Sequence, residues 1–348
     1  MKIPDIAIGA IIGALIAATV ALLTILLKDY LIPILTERRT AKGRRKETFR
    51  RYASPIIIAS KSLLFRIKEV FRRGNFLLAN APKNDFNEYK FISTLYRLCA
   101  LIGWIQASKI ELSFIEVEKN EDFKKIELAL EQFEKSLADG HHVEQSVLEQ
   151  ICVLCNISLD KVSLDKKKKI AIEIENKINE SCCRESVSIT EDLSDEQKSS
   201  LVSEVCNLIC LNINCALIPS QVLKEKVQTI AKEMSRVEAF LYRDWQSAIG
   251  DLMLKKADKD SNRKFEVIGY KDFETLYFSE DKEIIKWIKR VKKLFYNLDI
   301  SIDNRFDDRI NQLRKVYAAT YEILKTFSLI NKGRVDISQS AIENLKNL

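Results

Sequence analysis

Turn-forming residues and histidine are both scarce in this chain. Its 348 residues include 9 glycines, 5 prolines and 2 histidines. Tight turns draw on glycine and proline, so their scarcity argues against a turn-rich β architecture. The two histidines, His141 and His142, follow Gly140 with no HExxH or other spaced ligand set, and they read as a solvated loop pair. There is no GxxxxGK[ST] phosphate loop and no GxSxG nucleophile elbow. Internal repeats and low-complexity tracts are missing as well. Lys, Glu, Leu and Ile dominate instead, a composition that favours helix. The expected fold is all-α, with at most one short β segment.

One long apolar run stands out. Ile6–Leu27 carries no charge and is about 33 Å long as a helix, enough to cross a bilayer core of about 30 Å. It is long for a signal-peptide core, and no polar cleavage region follows Ala17, Ala18 and Ala21. A retained single-pass anchor is expected, in the inner (plasma) membrane. Lys2 is balanced by Asp5 before the run, whereas residues 28–51 hold nine basic and three acidic groups. Basic side chains resist translocation, so the N-terminus should lie outside and the C-terminus in the cytoplasm.

The formal charge of +7 therefore sits mostly in one collar. Arg38, Arg39, Lys42, Arg44, Arg45, Lys46, Arg50 and Arg51 are its candidate contacts with anionic lipid headgroups, at about 1 kcal/mol per basic group near the surface. The rest of the chain is close to neutral, which does not suit a nucleic-acid-binding domain. Within the span, Gly9, Gly13, Ala17 and Ala21 recur every four residues. Such a stripe of small residues can pack helix against helix and would serve a homodimer.

The organisation expected is a short outer tail at 1–5, the span at 6–27, a basic juxtamembrane helix at 28–53 and a helical cytoplasmic domain at 54–348. The juxtamembrane helix should be disturbed at Pro33 and near Gly43. Ser54-Pro55 reads as the start of a new helix. Residues 182–193 read as a linker, and Ser194–Gln197 as a capping box. Pro219-Ser220 should open one long helix reaching Lys256. Phe265–Tyr270 is the candidate strand.

Eight cysteines lie on the side assigned to the cytoplasm, where thiols stay reduced. Cys152 and Cys155 form a CxxC, and Cys206 and Cys210 are one helical turn apart. Packing is the favoured reading, and no metal or cofactor is assigned. Asp258, Asp260 and Asn262 imitate a calcium loop, but Arg263 and Gly269 stand where such a loop needs Gly and Glu. Lys286, Lys289, Arg290, Lys292 and Lys293 make a basic helix face, read first as solvated.

The segment Tyr242–Met253 mixes charge with large apolar groups. Tyr242, Arg243, Asp244 and Gln246, with Gly269 and Tyr270 further on, are the candidate polar cluster. Two buried, satisfied contacts are expected for Arg243 and Asp244; a ligand or partner pocket is the alternative. Tyr242-Arg243-Asp244 and Ile268-Gly269-Tyr270, together with Tyr52–Pro55, Ser93–Tyr96 and Trp104, resemble a family of bacterial single-pass membrane proteins with no established activity. The resemblance covers patches amounting to a quarter of the chain and does not reach residues 115–230. Trp245 departs from it, since a polar residue is expected there. The resemblance implies the anchored helical architecture and supplies no mechanism.

The function expected is a membrane-tethered scaffold or sensor acting through contacts with a protein partner, in a bacterial stress or defence setting. Two alternatives are an adaptor recruiting nucleic acid or an acidic partner, and an enzyme using Arg243 and Asp244. Near-neutral charge beyond the collar disfavours nucleic acid, and the missing motifs disfavour an enzyme.

Overall fold

The computed structural model describes residues 19–113, 121–138, 143–185, 187, 190–302, 306–330 and 339–348. Gly9, Gly13, Ala17, His141 and His142 lie outside them. Among the described residues there are 12 α-helices and one two-stranded sheet. The all-α expectation with one short β segment holds.

Residues 19–25 are helical, and a π-helical turn at Leu26–Leu31 leads directly into α1 (Ile32–Arg73). The Ile32 N–H donates five residues back to the Leu27 carbonyl, so the wide turn lies just ahead of Pro33. Proline has no N–H and crowds the preceding turn, and a π turn relieves both. The expected disturbance at Pro33 therefore takes this form. Thr19–Thr36 is wholly exposed, Ala21 included, and by length and composition it is one helix able to cross a membrane. The six collar residues from Arg38 to Lys46 lie along α1.

Ser54-Pro55 does not start a new helix: Pro55 lies inside α1. Proline at this position deprives the Arg51 carbonyl of its helical donor. Arg263 Nη1 reaches that carbonyl instead, at 3.4 Å. Phe49, Tyr52, Ile56 and Ile57 are buried on both sides of the proline, so packing holds the helix together through it.

The second half of α1 is the spine of the main core. Against it lie α2 (Asp85–Ser113) and α11 (Arg309–Ile330), and α11 also packs on α3 (Glu121–Ala138). Tyr52, Leu64, Leu98, Phe133, Leu313 and Phe327 belong to this one cluster. A second apolar cluster is built by α4 (Val143–Leu154), α5 (Leu164–Arg184), α6 (Asp195–Ile213) and α7 (Ser220–Met234). Ile151, Ile174, Val205 and Ile230 are all fully buried in it. α6 opens with the expected capping box, Ser194 accepting from the Gln197 N–H and Gln197 Oε1 accepting from the Ser194 N–H. In the 182–193 stretch, Cys182 and Leu193 are buried, and Thr190 Oγ1 donates to the Ala231 carbonyl.

The long helix expected from Ser220 to Lys256 is two helices. α7 ends at Met234, the chain runs extended through residues 236–242, and α8 covers Arg243–Met253. Contacts distant in sequence capture this extended stretch. Val237 N donates to the Phe306 carbonyl, Asp308 N donates to the Val237 carbonyl, and Leu241 N donates to the Leu137 carbonyl. Backbone groups used this way are lost to a helix, and local propensity is too weak to compete. After α8, β1 (Leu254–Lys256) pairs antiparallel with β2 (Phe265–Val267), Leu254 opposite Val267. The candidate strand thus exists, but it stops at Val267. α9 (Tyr270–Tyr277), α10 (Lys282–Lys293) and, after α11, α12 (Gln339–Glu343) complete the chain.

Two glycines set the closeness of α2 and α8. A Cβ on Gly250 would sit 2.6 Å from Gln106 Cβ, and one on Gly103 would sit 2.8 Å from Met253 Cβ. Each glycine receives a side chain of the other helix. Gly250→Val should therefore lower unfolding stability by about 3 kcal/mol in a denaturant titration. Gly269→Ser is the contrast, because nothing lies within 4 Å of a Cβ there and serine suits that helix N-cap. It should change stability by no more than about 0.5 kcal/mol. Equal effects would contradict the close-packed helix pair.

Candidate interaction surface

Two stretches that stand apart in sequence meet at the start of α8. Gln246 fixes the approach: its Nε2 donates to the Leu241 and Glu134 carbonyls at 2.6 and 2.9 Å, and the residue is 3% exposed. The helix therefore begins at the surface, and Tyr242, Arg243 and Asp244 all face outward. The expectation of buried contacts for Arg243 and Asp244 fails because these residues occupy the first exposed turn of a short helix. Arg243 pairs only loosely, Nη2 lying 3.6 Å from Glu131 Oε1 with both side chains mostly exposed.

Nor does the cluster converge on Gly269 and Tyr270. These lie beyond the far end of α8, where Ile268 N donates to the Met253 carbonyl. Tyr270 stacks edge-on against Tyr89 and Tyr96 and donates its hydroxyl to Glu274 Oε1 at 2.9 Å. Burial and the Glu274 carboxylate both hold its phenol well above the usual range.

What Trp245 meets is the basic face of α10. The Arg290 guanidinium carbon lies 3.7 Å from the centre of the Trp245 ring and 4.4 Å from that of Trp287. Tyr242 meets Trp245 edge-on at 4.8 Å, and Lys286 lies 5.0 Å from the Trp287 ring centre. Aromatic rings and cations thus alternate along one surface. An arginine held between two indoles keeps its charge while covering apolar surface, each contact contributing about 0.5–2 kcal/mol according to its exposure. Tyr242 remains 51% exposed. Trp, Tyr and Arg are the residue types that dominate protein interfaces energetically.

Behind this surface sits a buried ion pair. Every N–H of the Arg309 guanidinium has an acceptor. Nε and Nη2 bind Asp307 Oδ1 and Oδ2 at 2.8 and 2.6 Å. Nη1 donates to the Lys293 and Tyr296 carbonyls, and Nη2 also to that of Asn297. The cation therefore closes the carbonyl end of α10, where the helix dipole favours positive charge. Asp307 forms a parallel bridge with Val237, on the approach to α8.

A second buried carboxylate joins the hairpin to α1 and α2. Glu111 Oε2 accepts from the Tyr52 hydroxyl at 2.6 Å and from Lys264 N at 3.2 Å. Arg51 Nη1 lies 3.5 Å from Glu111 Oε1, so this member of the collar turns toward the domain, while Arg50 stays exposed. Burial, with the Glu111 carboxylate alongside, pushes the Tyr52 phenol above its ordinary range.

Among the described residues, no group of three His, Cys, Asp or Glu side chains could hold a metal ion. The cysteines instead form a sulfur pair, with Cys155 Sγ 4.0 Å from Cys206 Sγ. That contact, with Lys226 nearby, holds the half-buried Cys155 thiol down to about 7. The same contact with Cys155, together with burial, pushes the Cys206 thiol up.

Two measurements probe this description. Arg309→Ala leaves Asp307 buried and unpaired and should cost about 3–5 kcal/mol, whereas Arg243→Ala should stay within about 0.5 kcal/mol in the same melt. Similar losses would refute the placement of both residues. Cys155 should be alkylated by iodoacetamide ahead of the other cysteines at neutral pH, because a lowered pKa leaves thiolate present there. Its rate should rise through a midpoint near pH 7 and flatten above it. Faster labelling of the exposed Cys183 or Cys215 would contradict this.

No protein-family model, curated protein or solved structure matches this chain.

Proposed function

We propose that this chain is a single-pass, membrane-tethered scaffold or sensor that acts through contacts with a protein partner. Its N-terminus is outside and its helical domain is in the cytoplasm, against the inner membrane. The observation carrying this reading is the continuity of one helix. Residues 19–73 run without a break from an exposed apolar segment into the spine of the main core. At about 1.5 Å per residue this is a rod roughly 80 Å long. A loop would let the domain wander; a helix holds it at a set distance and angle from the bilayer. The basic collar supports the orientation and a headgroup contact. The outward face of Tyr242, Trp245, Trp287 and Arg290 supports the partner reading, its cations suiting a partner that offers carboxylates.

The test has two arms. A C-terminal reporter active in the cytoplasm, on protein that resists carbonate extraction, is the expected topology; a reporter active only outside overturns it. Trp245→Ala with Trp287→Ala should release a co-purifying protein from detergent extracts while the variant still melts cooperatively. Identical co-purification by wild type and variant would remove this surface from the proposal.

A further inference from the structure

The cavity on the membrane-distal half of α1 has the opposite character to the aromatic surface. About 570 Å³ in volume, it lies between the outer face of α1 and the α12 end of the chain at Asn344 and Leu345. That volume falls within the range of small-molecule sites, about 300–1,000 Å³. Lys61, Phe65, Lys68 and Arg72 follow one another at four, three and four residues, so they form a single stripe along the helix. Arg73 and, from α2, Lys90 add to it.

Five cations face this space against one carboxylate, Glu69. Glu69 is already engaged: its Oε1 lies 2.7 Å from Lys90 Nζ, and its Oε2 lies 3.1 Å from Arg66 Nη1. Lys68 is committed too, donating to the Asn344 and Asn347 carbonyls at 3.1 and 2.8 Å and so holding the chain's end over the cavity. Lys61, Arg72 and Arg73 have no carboxylate partner among the described residues, and Phe65 is 51% exposed on the same wall. Unpaired guanidinium groups favour phosphate, which they bind through two N–H groups at once. An exposed ring beside them offers a stacking face to a planar group.

On the tether proposed above, with α1 standing off the bilayer, distance favours a soluble anion over a lipid headgroup. Lys61 and Arg73 lie about 38 and 56 Å along the helix beyond Thr36. The headgroup layer on each side of a bilayer is only about 5–8 Å thick. We propose that this cavity binds a soluble phosphorylated ligand with a planar ring, of the nucleotide class, its phosphates on Arg72 and Arg73 and its ring against Phe65, where Lys61 Nζ lies 6.0 Å from the Phe65 ring centre. The site is separate from the aromatic surface, so either can fail without the other.

The experiment uses the full chain in phosphatidylcholine nanodiscs, titrated calorimetrically with ATP and with tripolyphosphate. Saturable binding of ATP is expected, weakening as salt is raised. Arg72→Ala with Arg73→Ala should weaken both probes by about tenfold or more. Phe65→Ala should weaken ATP and leave tripolyphosphate unchanged, a split that loss of folding would not produce. Arg73→Gln alone, melting as wild type does, should show the same direction. Absence of saturable ATP binding overturns the proposal, as does equal affinity in wild type and the double variant. Loss of ATP binding when phosphatidylglycerol is built into the nanodiscs would assign the cavity to a headgroup instead. Binding of a single-stranded oligonucleotide with no binding of ATP would likewise overturn it.

Discussion

The Asp307–Arg309 pair is the contact on which the outward face of this protein depends. A guanidinium buried to 4% exposure loses its water, and only a full set of acceptors offsets that loss. Here the set is complete: two carboxylate oxygens and three carbonyls, that of Lys293 at the end of α10 and those of Tyr296 and Asn297 just past it. One side chain thereby fixes where α10 stops. The same short segment sets where α8 begins, because Val237 exchanges backbone hydrogen bonds with Phe306 and Asp308 on either side of Asp307. The Trp245–Arg290–Trp287 stack spans the two helices so placed. It follows from that geometry, and indole–guanidinium attraction alone would be too weak to impose it.

A similar logic carries α1 through Pro55. Interior proline destabilises a helix by about 3 kcal/mol or more, partly through the carbonyl it orphans. The hairpin brings Arg263 to that carbonyl, and in the same place brings Lys264 N and Phe265 N to the Glu111 carboxylate and the Tyr52 hydroxyl. The two short strands thus do little as a sheet, and their value lies in the polar groups their connection delivers to the Tyr52 end of the core. The rod stays a rod there because a segment some two hundred residues later completes its hydrogen bonds.

This explains what could be read from the chain and what could not. The apolar stripe of α2, at Phe91, Leu95, Leu98, Ile102 and Ile105, is legible because a 3.6-residue period needs no knowledge of the partner helix. The capping box at Ser194 is legible for the same reason: all of its atoms lie within four residues. The break after Met234 is different. Glu238-Ala239-Phe240-Leu241 has nothing against helix, and the acceptors and donors that hold it extended come from residues 137, 306 and 308. Arg309 and Glu111 carry no local mark either, since a buried charge and an exposed one are written alike in sequence. Arg243 and Asp244 drew attention through their apolar neighbours, yet Trp245, the residue that looked out of place just after them, is the one whose contacts define the surface.

Charge is distributed along α1 in three distinct ways, and the distinction bears on what each part can bind. The collar places cations close to the apolar segment. Arg51 is paired, with Glu47 and the buried Glu111, while Arg50 stays exposed. Beyond Pro55 the cations turn outward again at Lys61, Arg72 and Arg73, now without carboxylate partners among the described residues. If basic residues on this helix served only to hold the last turn's dipole, they would gather at Arg72 and Arg73. Lys61 lies three turns earlier, beside an exposed phenylalanine and facing the same cavity, where the dipole of the last turn has no need of it. A ligand carrying phosphate and a flat ring accounts for both residues together.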